Sequence, residues 1–204
     1  MARSRWHWLI YPAVALGLPI VTGSAVAPLF VRAYNMPSRS MLPNLLVGDH
    51  FLARTGYYAD HAPERGEIAL FLHGDTTFVK RVIGLPGDTI QMRAGRLWIN
   101  GSEVPRAADS SETDGLGVVF QRYRETLPGG VSYPVLELGD NGPLDDTDPI
   151  PVPADSYLVM GDNRDNSNDS RVPEFGLVPR DKFTDRPILI YFSYTMSRIG
   201  SGLN

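Results

Sequence analysis

The chain has 204 residues, which is enough for one domain with a sizeable core, or for one domain with a smaller insertion. It contains no cysteine, so disulfides, thiolate metal sites and a cysteine nucleophile are excluded. From residue 33 onward there are 16 basic and 23 acidic side chains, and this net charge of −7 argues against nucleic acid as a partner.

An uncharged apolar stretch, WLIYPAVALGLPIVTGSAVAPLFV, occupies residues 8–31. It is long enough to cross a bilayer core of about 30 Å as a helix. Two arginines precede it, which favours residues 1–7 in the cytoplasm and the body of the chain outside. The alternative is a cleaved signal peptide that ends at the A-x-A pattern Ala25–Ala27, but Pro28 would then follow the cut. We therefore expect a single transmembrane anchor.

The rest of the chain is rich in glycine and proline, and no stretch after residue 32 keeps a 3.6-residue period for three turns. Alternating residues predict two hairpin turns at Ala94-Gly95 and Asn100-Gly101, whereas residues 105–130 are polar and turn-rich, with a possible strand at 117–123. The other predicted strands are residues 49–58, 66–73, 78–83, 131–138, 156–163 and 186–197. This pattern predicts a mainly β fold class, with an antiparallel body behind an N-terminal transmembrane helix.

Two serines, Ser38 and Ser40, follow the apolar stretch in the segment MPSRSML. A serine nucleophile needs a base. One of the four histidines lies before the apolar stretch and the other three lack a nearby acidic or Ser-x-Gly signature, so a Ser-His-Asp triad has little support. A lysine amine can replace histidine if burial lowers its pKa by roughly three units. Lys80 shares a predicted strand face with Phe78 and Val82, which makes it the candidate base. The alternative is an ordinary strand lysine whose ammonium reaches water.

The segment GDNRDNSNDSR, residues 161–171, is dense in side chains that bond to nearby backbone. A calcium loop is one alternative, because Asp165, Ser167 and Asp169 alternate. The sixth position of such a loop is Ser170 rather than glycine, and the twelfth is not glutamate, so an EF-hand is disfavoured. The segment is therefore predicted to be a loop locked by side-chain hydrogen bonds, and no metal site is expected.

Four segments in this order resemble one family, the bacterial type I signal peptidases or leader peptidases, which are membrane-anchored serine proteases with a Ser-Lys dyad. They are PSRSMLPNLLVGD, FVKRVIGLPGD, VMGDNRDNSNDSR and the tail SRIG. The resemblance extends from the anchor to the C-terminus and is loose only at residues 105–150. It implies an antiparallel β catalytic domain at residues 32–97 and 153–204, with a smaller inserted β sub-domain at residues 98–152.

The resemblance also implies catalytic roles. Ser40 would be the nucleophile and Lys80 the general base. Ser38 would donate to the oxyanion beside the backbone N–H of Ser40, and Ser167 would orient the lysine. The residue between the two serines, Arg39, departs from the small or polar residue that is usual in the family.

Other matches are structural or concern the substrate. Asp169 and Arg171 match an ion pair that supports the catalytic loop. The positions that match pockets for small substrate residues are Tyr34, Met36, Met41, Leu45 and Val79. An extended substrate would pair along residues 34–37 as an added strand. Asp185 stands where the family usually has a glycine, which leaves the local geometry there open.

The expected activity is removal of N-terminal signal peptides from exported preproteins, after small residues in an A-x-A pattern. The expected place is the bacterial plasma membrane, with the catalytic body on the outer face against the lipid bilayer. No cofactor, metal, nucleic acid or obligate partner subunit is expected. Two alternatives remain: a Ser-Lys peptidase with a narrow client such as a conjugation or pilus protein, and an inactive membrane-anchored β binding module.

Overall fold

The computed structural model describes residues 30–113 and 117–203, which form short strands joined by turns. The strands are β1 (Val31–Asn35), β2 (His50–Arg54), β3 (Ile68–His73), β4 (Thr76–Gly84), β5 (Thr89–Arg93), β6 (Arg96–Ile99), β7 (Ser102–Glu103), β8 (Arg106–Thr113), β9 (Val119–Thr126), β10 (Ser132–Glu137), β11 (Ile150–Pro151), β12 (Ser156–Met160), β13 (Val178–Pro179) and β14 (Arg186–Phe192). Short 3₁₀ turns lie at Tyr57–Ala59, Arg164–Asn166, Arg180–Lys182 and Met196–Arg198.

Within the described residues the strands form four sheets, and every strand pair is antiparallel. The strand orders are β1-β2-β14, β10-β9-β8, β11-β5-β6-β7 and β13-β12-β4-β3. The mainly β, antiparallel fold class predicted from the sequence is confirmed. β4 is an inner strand of its sheet and β1 is an edge strand, and these two positions matter for the site described below.

Successive side chains of β4 point to opposite faces of the sheet. The apolar residues of this strand therefore pack into two different parts of the core. Val82 packs in one hydrophobic cluster, with Phe78 against it, whereas Val79 packs against another cluster that contains Met36 and Ile68. The predicted facing of Phe78 and Val82 therefore agrees with the structure. Lys80 lies opposite Ala69 of β3 and is 3% exposed.

Among the strands that the sequence prediction missed, the longest is β8. β8 (Arg106–Thr113) pairs with β9 over most of its length, although the segment RAADSSET is rich in small and polar residues. Such residues have low β propensity, and most of the strand is exposed, so it shows no apolar alternation. Long-range pairing, not local preference, makes this segment a strand.

The predicted anchor at residues 8–31 lies outside the described residues except for its last two positions, and so does the alternative cleavage pattern Ala25–Ala27. From residue 30 onward, the described residues contain no helix that is long and apolar enough to cross a membrane. The predicted boundary of the inserted sub-domain, between residues 97 and 98, falls inside β6. The domain division stays a prediction.

Candidate active site

The two serines lie in a tight turn segment that follows β1. Ser40 is 8% exposed, whereas Ser38 is exposed, and their Oγ atoms are 3.1 Å apart. At this distance one hydroxyl can donate a hydrogen bond to the other. The segment is anchored at both ends, because the backbone N–H of Met36 donates to the carbonyl of Asp49 at 2.8 Å and that of Leu45 donates to the carbonyl of Met41 at 2.9 Å.

Lys80 brings an amine to the same place from β4. Its Nζ donates a hydrogen bond to Oγ of Ser167 at 3.0 Å. Burial lowers the pKa of Lys80 to about 8, against the fields of Asp169 and Asp162, which raise it. A sizeable fraction of this amine is therefore neutral slightly above neutral pH, and it can then accept a proton.

The 161–171 segment, defined here as residues 161 to 171, forms the other wall of the site. The backbone N–H of Asn163 donates to the carbonyl of Ser40 at 3.1 Å, and the Asn163 amide donates to the carbonyl of Arg39 at 3.1 Å. Gly161 permits this approach, since a Cβ there would collide with the Ser167 hydroxyl and lie 2.5 Å from the Ser40 carbonyl oxygen. Glycine at this position lets two distant parts of the chain come into contact.

An ion pair stiffens this segment. Asp169 is fully buried and accepts hydrogen bonds from Nε of Arg171 at 2.9 Å and from the backbone N–H of Gly161 at 2.9 Å. Burial by itself raises the pKa of Asp169, but the contact with Arg171 brings the pKa below its ordinary value. Arg171 also donates to the carbonyl of Arg164 at 2.6 Å, which ties the two ends of the segment together.

Two further buried ion pairs lie under the segment, and sequence reasoning missed both. Arg81 and Asp162 form a two-pronged contact with both distances 2.8 Å, and both side chains are 1% exposed. Arg164 binds Glu125 of β9 in the same two-pronged manner. The segment itself contains Asp162 and Arg164, but their partners Arg81 and Glu125 are distant in sequence and are brought to them only by the fold. These pairs connect the 161–171 segment to β4 and β9.

A cavity of about 320 Å³ opens at this site. Its lining residues are Met36, Pro37, Ser38, Ser40, Thr76, Thr77, Phe78, Val79, Lys80, Asn166 and Asn168. Both predicted catalytic serines and the predicted base thus face one space. A larger cavity of about 890 Å³ lies elsewhere, between residues 55–59 and 179–185, but its lining includes neither lysine nor histidine, so its size does not make it the better candidate.

The structure divides the predicted substrate-binding residues into two groups. Met36 and Val79 line the cavity. Met41 and Leu45 are fully buried in the hydrophobic cluster that also contains Met36, and they do not line the cavity. Tyr34 packs against the same cluster. The last three side chains therefore form the support behind the cavity wall.

Asp185, the departure from the family pattern, is 2% exposed and has clear partners. It accepts hydrogen bonds from the hydroxyl of Tyr34 at 2.6 Å and from the backbone N–H of Gly56 at 3.1 Å, and Arg32 lies 3.8 Å away. The first two partners belong to β1 and to the turn after β2. This carboxylate therefore fixes Tyr34 of β1.

A comparison with protein families identifies the class of this fold and site. The family described as signal peptidase, peptidase S26, matches residues 3–192 of the chain. The chain therefore belongs to the signal peptidase family, and it is a hydrolase of that family.

Similar curated proteins carry a more particular description. A protein named Signal peptidase I from Rickettsia bellii (strain OSU 85-389) is 31% identical over 205 residues, which cover 86% of this chain and 71% of the relative. Another with the same name, from Rickettsia akari (strain Hartford), is 31% identical over 194 residues, covering 81% of this chain and 73% of the relative.

Among solved structures, the crystal structure of a signal peptidase I from Enterococcus faecalis V583 is similar to this chain at 25% sequence identity. The match covers 60% of this chain and 94% of that one, with a TM-score of 0.37.

Proposed function

We propose that the chain is a membrane-bound serine endopeptidase that cleaves signal peptides from exported preproteins after small residues in an A-x-A pattern. Ser40 is the nucleophile and Lys80 is the general base. Ser38 and the backbone N–H of Ser40 form the oxyanion site, and Ser167 orients the lysine amine. The observation that carries the proposal is the shared cavity, where two serine hydroxyls and a buried lysine with a pKa of about 8 face one space.

The proposed reaction has two steps. Ser40 Oγ attacks the scissile carbonyl and forms an ester with the substrate, while its proton passes to neutral Lys80 and then to the departing amine. Water then attacks the ester, Lys80 accepts a proton from that water, and Ser40 Oγ leaves with a proton. In both steps the Ser38 hydroxyl, 3.1 Å from Ser40 Oγ, donates to the negatively charged carbonyl oxygen. Such a donor contributes about 2.7–4 kcal/mol in known cases.

The hydrogen bond between Lys80 and Ser167 supports the role of the lysine. A neutral amine has one lone pair, which must point at the Ser40 proton for transfer to occur. By accepting one amine hydrogen, Ser167 limits rotation of the amine. The ion pair of Asp169 and Arg171 supports this arrangement from behind, because it holds the backbone of the same segment.

The cavity wall supports a preference for small residues. Met36, Phe78 and Val79 give an apolar surface beside the serines, and the available space is about 320 Å³. β1 is the edge strand of its sheet, so one side of its backbone is available to pair with an extended peptide. A substrate strand along residues 34–37 would bring its cleaved bond toward Ser40.

Attachment to the bilayer rests on the apolar stretch at residues 8–31 and has support from exposed apolar side chains. Tyr194 is 83% exposed and Met196 is 78% exposed, just after β14. β14 belongs to the same sheet as β1, which begins at the last residue of the apolar stretch. We propose that the catalytic body rests on the outer face of the plasma membrane, where exported substrates emerge.

The test is cleavage of a purified preprotein by the detergent-solubilised full chain. Ser40→Ala and Lys80→Ala should each abolish the appearance of mature product. Full activity in either variant would refute the dyad. Matched controls are Ser102→Ala, an exposed serine of β7, and Lys182→Ala, the only other lysine of the sequence, whose side chain is 51% exposed. Both controls should cleave at the wild-type rate.

A further inference from the structure

Three carboxylates, none of which lines the cavity at the serines, meet beside the 161–171 segment. Glu137 ends β10, Asp145 lies in the loop that follows, and Asp165 lies in the 3₁₀ turn at residues 164–166. One ligand oxygen of each lies within 4.8 Å of the other two. Oxygens bound to Ca²⁺ at about 2.3–2.6 Å can lie up to about 5 Å apart, so this spread accommodates a bound cation.

Two of these side chains are buried and keep an oxygen without a partner. Glu137 and Asp145 are both 0% exposed. Among the described residues, Oε2 of Glu137 and Oδ1 of Asp145 have no hydrogen-bond partner. A buried carboxylate oxygen without a partner is costly, which points to a ligand at this place.

Nearby backbone holds the carboxylates in place. The backbone N–H of Leu138 donates to Oδ2 of Asp165 at 2.6 Å, and that of Gly142 donates to Oδ2 of Asp145 at 2.6 Å. These bonds use only one oxygen of each aspartate. The site is therefore preorganised, and carboxylate oxygens remain for a ligand.

Gly142 leaves room beside the cluster. A Cβ at this position would lie 2.6 Å from Oδ1 of Asp165 and 3.1 Å from Oδ2 of Asp145. A surface cavity of about 320 Å³, lined by Leu138, Gly142 and Asp165 among others, gives access from solvent. Of the three carboxylates Asp165 lines this cavity, so an ion could enter from the side of Asp165.

The charge count favours a divalent ion. Arg106 contacts Oε1 of Glu137 at 3.2 Å and is shared with Asp140 at 3.0 Å. The described residues show no ion pair for Asp145 or Asp165, and Arg171 and Arg164 are bound to other carboxylates. Three carboxylates against one arginine leave a formal charge of −2. Carboxylate oxygens are hard ligands, which suit Ca²⁺ and Mg²⁺ rather than softer metals.

We propose that Glu137, Asp145 and Asp165 bind one divalent cation, for which Ca²⁺ is the best fit. The ion bridges the end of β10, the loop after it and the 161–171 segment. Asp165 stands two residues before Ser167, which bonds to Lys80. The ion therefore holds a loop whose Asn166 and Asn168 line the cavity at the serines. Only this link to catalysis rests on the proposed function, and the binding itself is independent of it.

The test is calorimetric titration of the full chain in detergent with CaCl₂, after removal of bound metal with EDTA. We expect one Ca²⁺ per chain, and at least a tenfold loss of affinity in Asp145→Asn and in Asp165→Asn. The matched control is Asp148→Asn, an exposed aspartate of the same loop, which should bind as the wild type does. Absence of binding at millimolar Ca²⁺, or unchanged affinity in both variants, would overturn the proposal.

A second variant tests the site without removing a carboxylate, so the test still works if the Asp→Asn variants do not fold. Gly142→Ala keeps all three carboxylates but places a methyl group against Asp165 Oδ1. We expect it to weaken Ca²⁺ binding and to reduce the rise of the melting temperature that Ca²⁺ causes in the wild type. Wild-type affinity in Gly142→Ala, or tighter binding of Mg²⁺ than of Ca²⁺, would contradict the geometry argued here. The titration contains no peptide substrate, so its result does not depend on whether the protein cleaves peptides.

Discussion

Two consecutive buried cations, Lys80 and Arg81, point to opposite faces of β4 and have different kinds of partner. Lys80 is 3% exposed and Arg81 is 1% exposed, so both have left water. Arg81 has Asp162 as a two-pronged partner, whereas Lys80 donates a hydrogen bond to the neutral Ser167 hydroxyl and has no ion pair within the described part of the chain. A paired buried charge keeps its charge, and an unpaired one loses its proton more easily. The difference in partners distinguishes a structural cation, Arg81, from a candidate base, Lys80, at the adjacent position of the chain.

The largest expected effect comes from replacing Lys80 with arginine, a cation that cannot lose its proton. Lys80→Arg should reduce preprotein cleavage by at least about 10²-fold at pH 9, because a guanidinium stays charged and cannot act as a base. The measurement is the initial rate of mature-product formation. Lys182→Arg, at the exposed lysine, is the control and should have no effect. Appreciable activity of Lys80→Arg would show that the base lies elsewhere.

The second prediction concerns the ion pair between Arg81 and Asp162 on the other face of β4. Asp162→Asn leaves Arg81 buried without its carboxylate, and this should destabilise the fold by about 3–5 kcal/mol. The free energy of unfolding from urea titration measures the loss. Asp60→Asn, an exposed aspartate, should change it little. A loss as small as that of the control would mean that Arg81 finds another acceptor.

The third prediction uses the pKa of Lys80. In the folded chain this pKa is about 8, against 10.5 for an ordinary lysine, so folding disfavours the charged amine. The cost is fully present below pH 8 and disappears as the pH rises toward 10.5, because there the amine is neutral in both states. Lys80→Met should therefore stabilise the fold below pH 8 by up to about 3 kcal/mol, and the gain should vanish near pH 10.5. Unfolding measured at pH 7 and pH 10 gives the comparison.

The smallest effect concerns the hydrogen bond of Lys80. Ser167→Ala should lower the cleavage rate about five- to tenfold, because the amine loses an orienting bond worth about 1 kcal/mol. Ser170→Ala is the matched control, since its hydroxyl accepts from the backbone N–H of Val159 at 3.1 Å and does not line the cavity. It should lower stability and leave the rate unchanged. Equal rates in the two variants would remove Ser167 from the proposed site.

Local patterns predicted much of the fold and of the candidate site. Apolar alternation marked the strand that carries Lys80, and the motif segments marked Ser40 and Ser167. By contrast, the hydrogen bond from the backbone N–H of Asn163 to the Ser40 carbonyl could not be predicted, because a contact between two backbone groups does not depend on side-chain identity.

The acidic cluster was missed for a related reason. Its three carboxylates come from separate segments, and the parallel bridge between Leu136 and Asn163 is one of the long-range contacts that bring two of those segments together. The alternation of Asp165, Ser167 and Asp169 suggested a calcium loop built from one stretch of chain, and an EF-hand was disfavoured because the sixth position is not glycine. Neither consideration could indicate that Asp165 would meet acids of another loop.

The contact of Asn163 with Ser40 has a consequence for the order in which the protein is made. During synthesis the N-terminal residues emerge first, so the serine segment leaves the ribosome long before the residues that hold its backbone. A nascent chain therefore carries the proposed nucleophile without its support or its orienting serine. The site can assemble only after most of the chain has been translated and folded, and an unfinished copy of this peptidase would be unable to cut the exported chains around it.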